Sequence, residues 1–241
     1  LIPLDWTFQE ALMTDYAFPP PDQASIGIAG SRKRYPVHRI YCVGRNFAEH
    51  AREMGAEPSK GSPVFFMKPA DAVIQNNAIP YPGCTQDLHH EVELVVALGS
   101  SLPEHWTAEN AMQAVYGYAV GLDLTRRDLQ AAAKEKRLPW DTSKGFDASA
   151  PISDLIPAAQ AGIDADTVLS LHVNGSLRQK GCLGDMIFSV TDILLALSEL
   201  YILQPGDLVF MGTPSGVAAL QKGDHYHAVL QGVAELHGTI I

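Results

Sequence analysis

The chain has 241 residues, 46% of them hydrophobic and 18% charged, with a formal net charge of −10. That balance excludes a disordered chain and gives one large domain, or one domain with a small appendage, enough length to bury a sizeable core. The acidic surface, with no dense run of Lys and Arg, argues against a nucleic-acid partner.

Leu1 to Phe18 carries Asp5, Glu10 and Asp15 and no basic cluster, so no secretory leader is expected. Pro19-Pro20-Pro21 reads as an extended break, and residues 1–35 read as an N-terminal arm ahead of a domain over 36–241. Strands are predicted at Val37 to Val43 and Val64 to Met67, with a short helix between them. Asn46 and Glu49 have capping spacing at its start, and Gly55 closes it. Further strands are expected at His90 to Leu98, Tyr118 to Leu124, Leu169 to Val173 and Leu208 to Met211, with a hairpin turn at Asn174-Gly175. Helices are expected from Thr107 toward Tyr116, from Thr125 (with Asp128 as its capping partner) to just before Pro139, and from Ser189 or Thr191 to about Tyr201. Strands outnumber helices without regular alternation, which predicts an α+β, mainly β, core rather than a doubly wound sheet. Ser198 and Glu199 break the most apolar helix candidate, so no membrane span is expected. The three cysteines, Cys42, Cys84 and Cys182, are widely spaced. They indicate neither a disulfide framework nor a thiolate zinc site, and fit a reducing, cytoplasmic compartment.

The strongest chemical signal is His89-His90-Glu91-Val92-Glu93-Leu94-Val95-Val96. Residues two apart on a strand share a side, so Glu91 and Glu93 point together on a segment that otherwise reads as buried. Either one of them protonates, a cation sits between them, or the strand edge is exposed. Oxygen donors favour Mg²⁺, Mn²⁺ or Ca²⁺ over Zn²⁺. Asp123 ends an apolar strand before a helix; it offers a third carboxylate, or is a turn residue. His50 and Glu53, three apart on a helix, share a face. They form an oriented general base or an ordinary surface pair. Arg126, Arg127 and Gln130 lie in the first turns of the next helix, where cations oppose the helix dipole, which hints at an anionic ligand. Lys68 after an apolar strand and Lys144 in an aromatic, charged loop could each contact a carboxylate or an enolate. The turn Gly212-Thr213-Pro214-Ser215-Gly216 lacks the ending of a phosphate-binding loop but could hold a carboxylate.

Taken in order, several segments resemble the fumarylacetoacetate hydrolase family: Tyr41 to Phe47, the His50/Glu53 pair, Phe66 to Pro69, His89 to Leu94, Gly121 to Asp128, Leu138 to Trp140, Lys144 to Asp147, Val173 to Gly175, Met186 to Ser189, and Gly206-Asp207 with Gly212 to Gly216. The resemblance implies strands rolled into a mixed β-sandwich or barrel with a few flanking helices, usually as a homodimer. It implies metal ligands at Glu91, Glu93 and Asp123, a water-activating dyad at His50 and Glu53, and a catalytic cation at Lys144. Arg127, Gln130, Thr213 and Lys68 are implied as substrate contacts. The arm and the run Tyr116 to Asp123 look most like the fumarylpyruvate hydrolase branch, which implies Mg²⁺-dependent cleavage of an acylpyruvate in gentisate breakdown. Met67, His90 and the segment Lys180 to Asp185 depart from that branch. Oxaloacetate decarboxylation, oxo-acid isomerisation or dehydration, and a purely structural cation are the other readings of the same residues.

Overall fold

The structure is a computed structural model that describes residues 16–53, 61–99, 103 and 105–241. Two mixed, open sheets pack face to face. The larger runs, in spatial order, through Ile156–Pro157, Val115–Leu122, Val92–Leu98, Leu208–Phe210, Ile40–Gly44 and Val64–Lys68. Only Leu208–Phe210 and Ile40–Gly44 run parallel within it. The smaller runs through Ser176–Cys182, Val168–Val173, His225–Leu230, Ala234–Ile240 and Ala78–Ile79. The expected mainly β sandwich is therefore present, with neither sheet closed on itself.

The two sheets differ in how they meet water. Every residue of Val92–Leu98 is buried, because this central strand is covered on both faces. Leu94 and Val96 pack against Leu169, Leu171 and Ala228 of the smaller sheet. Val95 and Ala97 face a second core built with Ile26, Ile28, Tyr35, Val37 and Ile152. Part of the N-terminal arm supplies that second core. Ser25–Gly27 pairs antiparallel with Arg34–Pro36, and the Tyr35 hydroxyl donates to the Leu98 carbonyl at 2.7 Å. Among the described residues, the smaller sheet is covered on one face only. In His225–Leu230, Tyr226, Ala228 and Leu230 are buried, whereas His225 and His227 face solvent.

The predicted strands and the Asn174-Gly175 turn are all found, the turn with both residues in the left-handed region. Ser189 caps the helix Val190–Leu200 by accepting from the Asp192 N–H. Three expectations are corrected. Asn46 does not cap the helix Ala48–Glu53: its side chain bridges Phe188 and Met211 instead, and Gly55 lies outside the described residues. Thr125 does not cap Arg127–Lys136: it pairs with His89, while Asp128 accepts from Thr85 and Gln86. The helix expected from Thr107 is a single 3₁₀ turn, Ala111–Ala114, running into a strand. Among the described residues, no helix is long and apolar enough to cross a membrane.

Candidate metal centre

The site lies at one end of the larger sheet, where two neighbouring antiparallel strands bring distant residues together. Glu93 pairs with Gly121 across these strands, and just beyond them the Asp123 N–H donates to the Glu91 carbonyl at 2.8 Å. Glu91 thus precedes one strand, and Asp123 follows the other. One carboxylate oxygen from each of Glu91, Glu93 and Asp123 lies within 4.8 Å of the other two, and all three residues are buried.

Three buried or nearly buried cations surround these acids. Lys144 Nζ donates to Glu91 Oε2 at 2.7 Å, Asp123 Oδ2 at 2.6 Å and Thr125 Oγ1 at 2.6 Å. Arg127 Nη2 lies 2.5 Å from Glu91 Oε1, and Lys68 Nζ 2.8 Å from Asp123 Oδ1. Burial alone would raise the Glu91 pKa, but Lys144 and Arg127 hold it well below the usual carboxylate range. Burial likewise works against a charged Lys144, yet Asp123 and Glu91 raise its pKa.

Glu93 is treated differently. It accepts the Gly212 N–H at 2.8 Å and has no ion-pair partner among the described residues. Burial, followed by repulsion from Asp123 and Glu91, pushes its carboxyl well above the usual range. A third carboxylate left without a cation beside two paired ones, all offering oxygen, fits a hard divalent ion. The three acids already face three bases, so such an ion adds positive charge that an anionic ligand can offset.

Opposite the acids, the short helix Ala48–Glu53 presents His50 to the same cleft. Its Nδ1 lies 3.2 Å from Glu53 Oε2, as helical spacing predicted, and its ring is almost fully buried. Glu53 also accepts the Gly216 N–H at 3.3 Å, which ties the helix to the glycine-rich turn. Thr213, Gln130, Arg127 and Lys144 line the cleft with Phe66 and Trp140. Gln130 accepts from Arg127 at 2.7 Å. Lys68 does not reach the cleft surface. It lies behind Asp123, where it also donates to the carbonyls of Leu124, at 3.2 Å, and Lys144.

Sequence reasoning missed three participants. Gln179 is buried on Ser176–Cys182 and holds the site's outer frame. Its Oε1 bonds the His90 ring and the Val92 N–H, and its Nε2 donates to Thr213 Oγ1 at 2.7 Å and to the Pro214 carbonyl at 2.8 Å. Arg45 and Lys134 also line the cleft. For Lys134 a signal was present: it stands seven residues after Arg127, on the same face of one helix.

The profile described as fumarylacetoacetate (FAA) hydrolase, C-terminal, matches residues 39–241. A crystal structure of the fumarylpyruvate hydrolase from Pseudomonas aeruginosa, in complex with Mn²⁺ and pyruvate, superposes with a TM-score of 0.89 at 44% identity. The match covers 94% of this chain and 99% of that one. The oxaloacetate tautomerase YcgM of Escherichia coli K12 is 41% identical over 205 residues, 84% of this chain and 93% of that protein. A mitochondrial oxaloacetate tautomerase of Homo sapiens is 40% identical over 201 residues, 82% of this chain and 89% of that protein.

Proposed function

The chain belongs to the fumarylacetoacetate hydrolase family, and we propose that it is a divalent-metal-dependent hydrolase that cleaves the C–C bond of an acylpyruvate, with fumarylpyruvate as its substrate. The observation that carries this reading is the His50–Glu53 pair: a buried imidazole, hydrogen-bonded to a carboxylate, that lines one cleft with Glu91 and Glu93 of the acidic cluster, Asp123 lying buried beside them. C–C hydrolysis needs a base for water at that place.

Glu91, Glu93 and Asp123 would hold the ion, with Mg²⁺ as the proposed species. Bound there, it supplies Lewis acidity toward a 2-oxo carboxylate. His50 takes a proton from water, while Glu53 fixes the ring and stabilises its charged form. The hydroxide adds to the carbonyl distal to the pyruvate unit. The bond between that carbon and the pyruvate methylene then breaks, its electron pair passing to the methylene carbon as an enolate. Lys144, held between Glu91 and Asp123, offers positive charge to that developing anion. Protonation of the methylene carbon yields pyruvate, and the acyl part leaves as a carboxylate. Gln130 and Thr213 stand on the cleft wall as neutral hydrogen-bonding groups for the substrate's carboxylate. The reading extends to a homodimer working in aromatic-compound breakdown.

A second reading, oxaloacetate tautomerisation, is favoured by the relatives at 40 and 41% identity. It uses the same acids, with His50 moving a proton between carbon and oxygen and no water attack. The test follows the enol absorbance of fumarylpyruvate together with release of fumarate and pyruvate, with Mg²⁺, Mn²⁺ or EDTA. Enol-to-keto conversion of oxaloacetate is followed alongside. Metal-dependent release of both products is expected. Interconversion of oxaloacetate enol without product release from fumarylpyruvate would transfer the assignment to the tautomerase.

A further inference from the structure

The cations of the cleft fall into two groups. Lys144 and Arg127 are spent on Glu91 and Asp123. Arg45 and Lys134 line the same cleft, and among the described residues neither makes an ion pair. Lys134 is half-buried, and its ammonium stands 5.3 Å from the centroid of the Trp140 ring, itself part of the cleft wall. Three features mark these two residues. Arg127, Gln130 and Lys134 occupy positions i, i+3 and i+7 of one helix, so all three turn toward the cleft. Arg45 is held at φ +60°, a left-handed conformation that side chains other than glycine and asparagine rarely adopt and that clusters at functional sites. The Trp140 face favours a cation above it.

Lys134, half-buried, and Arg45, exposed at the rim of the same cleft, repel each other. Burial lowers the Lys134 pKa, and the Arg127 and Arg45 guanidiniums lower it further. An anion placed between Arg45 and Lys134 relieves that cost.

We propose that Arg45 and Lys134 form a second anion subsite, which takes the distal carboxylate of a dicarboxylic oxo-acid whose 2-oxo carboxylate end lies at the acidic triad. The subsite makes this cleft selective for dianions over oxo-acids with an apolar tail. Trp140 serves as the platform beside which the chain joining the two ends is laid. The assignment rests on the oxo-acid reading of the cleft but not on C–C hydrolysis, because a tautomerised dicarboxylate presents the same two ends.

The test is calorimetric titration of the Mn²⁺-loaded protein with 2-oxoglutarate and with 2-oxopentanoate. These share the 2-oxo carboxylate and chain length and differ only in the terminal carboxylate. Wild type should bind 2-oxoglutarate about tenfold or more tightly than 2-oxopentanoate, the scale of one charge-assisted hydrogen-bonded contact. Lys134→Met and Arg45→Met should each erase most of that ratio by weakening 2-oxoglutarate alone. Unchanged 2-oxopentanoate affinity in the variants reports an intact fold and triad. Equal affinity of wild type for the two acids, or a ratio that survives both substitutions, overturns the subsite. A preserved ratio in a wild-type protein that hydrolyses no acylpyruvate supports the subsite while removing the hydrolase reading.

Discussion

The two largest sheets among the described residues are built from similar strands and do different work. The central strands of the larger are buried on both faces, and its end gathers Glu91, Glu93 and Asp123 beside Lys144 and Lys68. The smaller is buried on one face, and its outer face carries exposed groups such as His225 and His227. Charge inside the first is surrounded by low-dielectric packing, so each partner has a large energetic consequence; charge on the second is screened by water. Equal side-chain removals in the two places should therefore have very unequal effects.

The largest contrast is expected for Asp123→Ala. It removes one ligand of the proposed ion and leaves Lys68 and Lys144 buried with a lost partner. Breaking a buried pair in this way costs about 3–5 kcal/mol. Metal content and turnover should both fall to background, and the urea midpoint should drop sharply. His227→Ala on the other sheet breaks an exposed 2.9 Å contact with Glu235 and should change stability by less than about 1 kcal/mol. Comparable losses in the two variants would erase the distinction between the sheets.

His50→Asn separates chemistry from metal retention. It keeps a polar side chain of similar reach but removes the base. Turnover should fall about 10²- to 10⁴-fold while metal content is unchanged. Retained turnover would take His50 out of the proton-transfer role.

Gly121→Val probes packing under the site. A Cβ at Gly121 would come within 2.7 Å of the Phe210 ring and 2.9 Å of Val95, so the strand that positions Glu93 would have to shift. Overpacking of this kind costs about 1–3 kcal/mol, and metal affinity should weaken with it, because Gly121 is the cross-strand partner of Glu93. Wild-type melting and metal affinity together would show that the pairing tolerates bulk there.

The same contrast explains what could be read from the sequence. Strands of the larger sheet are continuous apolar runs such as Val92 to Leu98, so they announce themselves, and the acids interrupting them stand out as candidates for chemistry. Helical spacing likewise brought His50 to Glu53. Ser176–Cys182, His225–Leu230 and Ala234–Ile240 were not predicted, because their outward positions carry Arg, Lys, His and Glu that blur the apolar signal. Gln179 was invisible for the same reason: nothing local marks a glutamine whose partners lie 34 to 89 residues away. The failed caps at Asn46 and Thr125 have one cause. Both side chains were claimed by tertiary or site contacts, Asn46 by Phe188 and Met211, and Thr125 by Lys144 and the Asp123 carbonyl. Local propensity yields where a buried polar partner competes.

A further small effect is predicted in the core beneath the smaller sheet and sharpens the comparison from its quiet side. Tyr226 is buried, and its hydroxyl has no hydrogen-bond partner among the described residues. Burial raises its pKa from 10.0 to about 12. Because the folded value lies above the unfolded one, the stability tied to the neutral phenol is present below pH 10 and is lost as pH rises toward 12. Tyr226→Phe removes both the unsatisfied hydroxyl and the titration. It should leave metal binding and turnover unchanged, raise stability by about 1 kcal/mol near neutral pH, and flatten the loss of stability between pH 10 and pH 12. Urea denaturation at pH 7.5 and across that alkaline window measures both. A destabilised variant would mean that the hydroxyl has a partner in solution, and the quiet sheet would then hold a polar contact of its own.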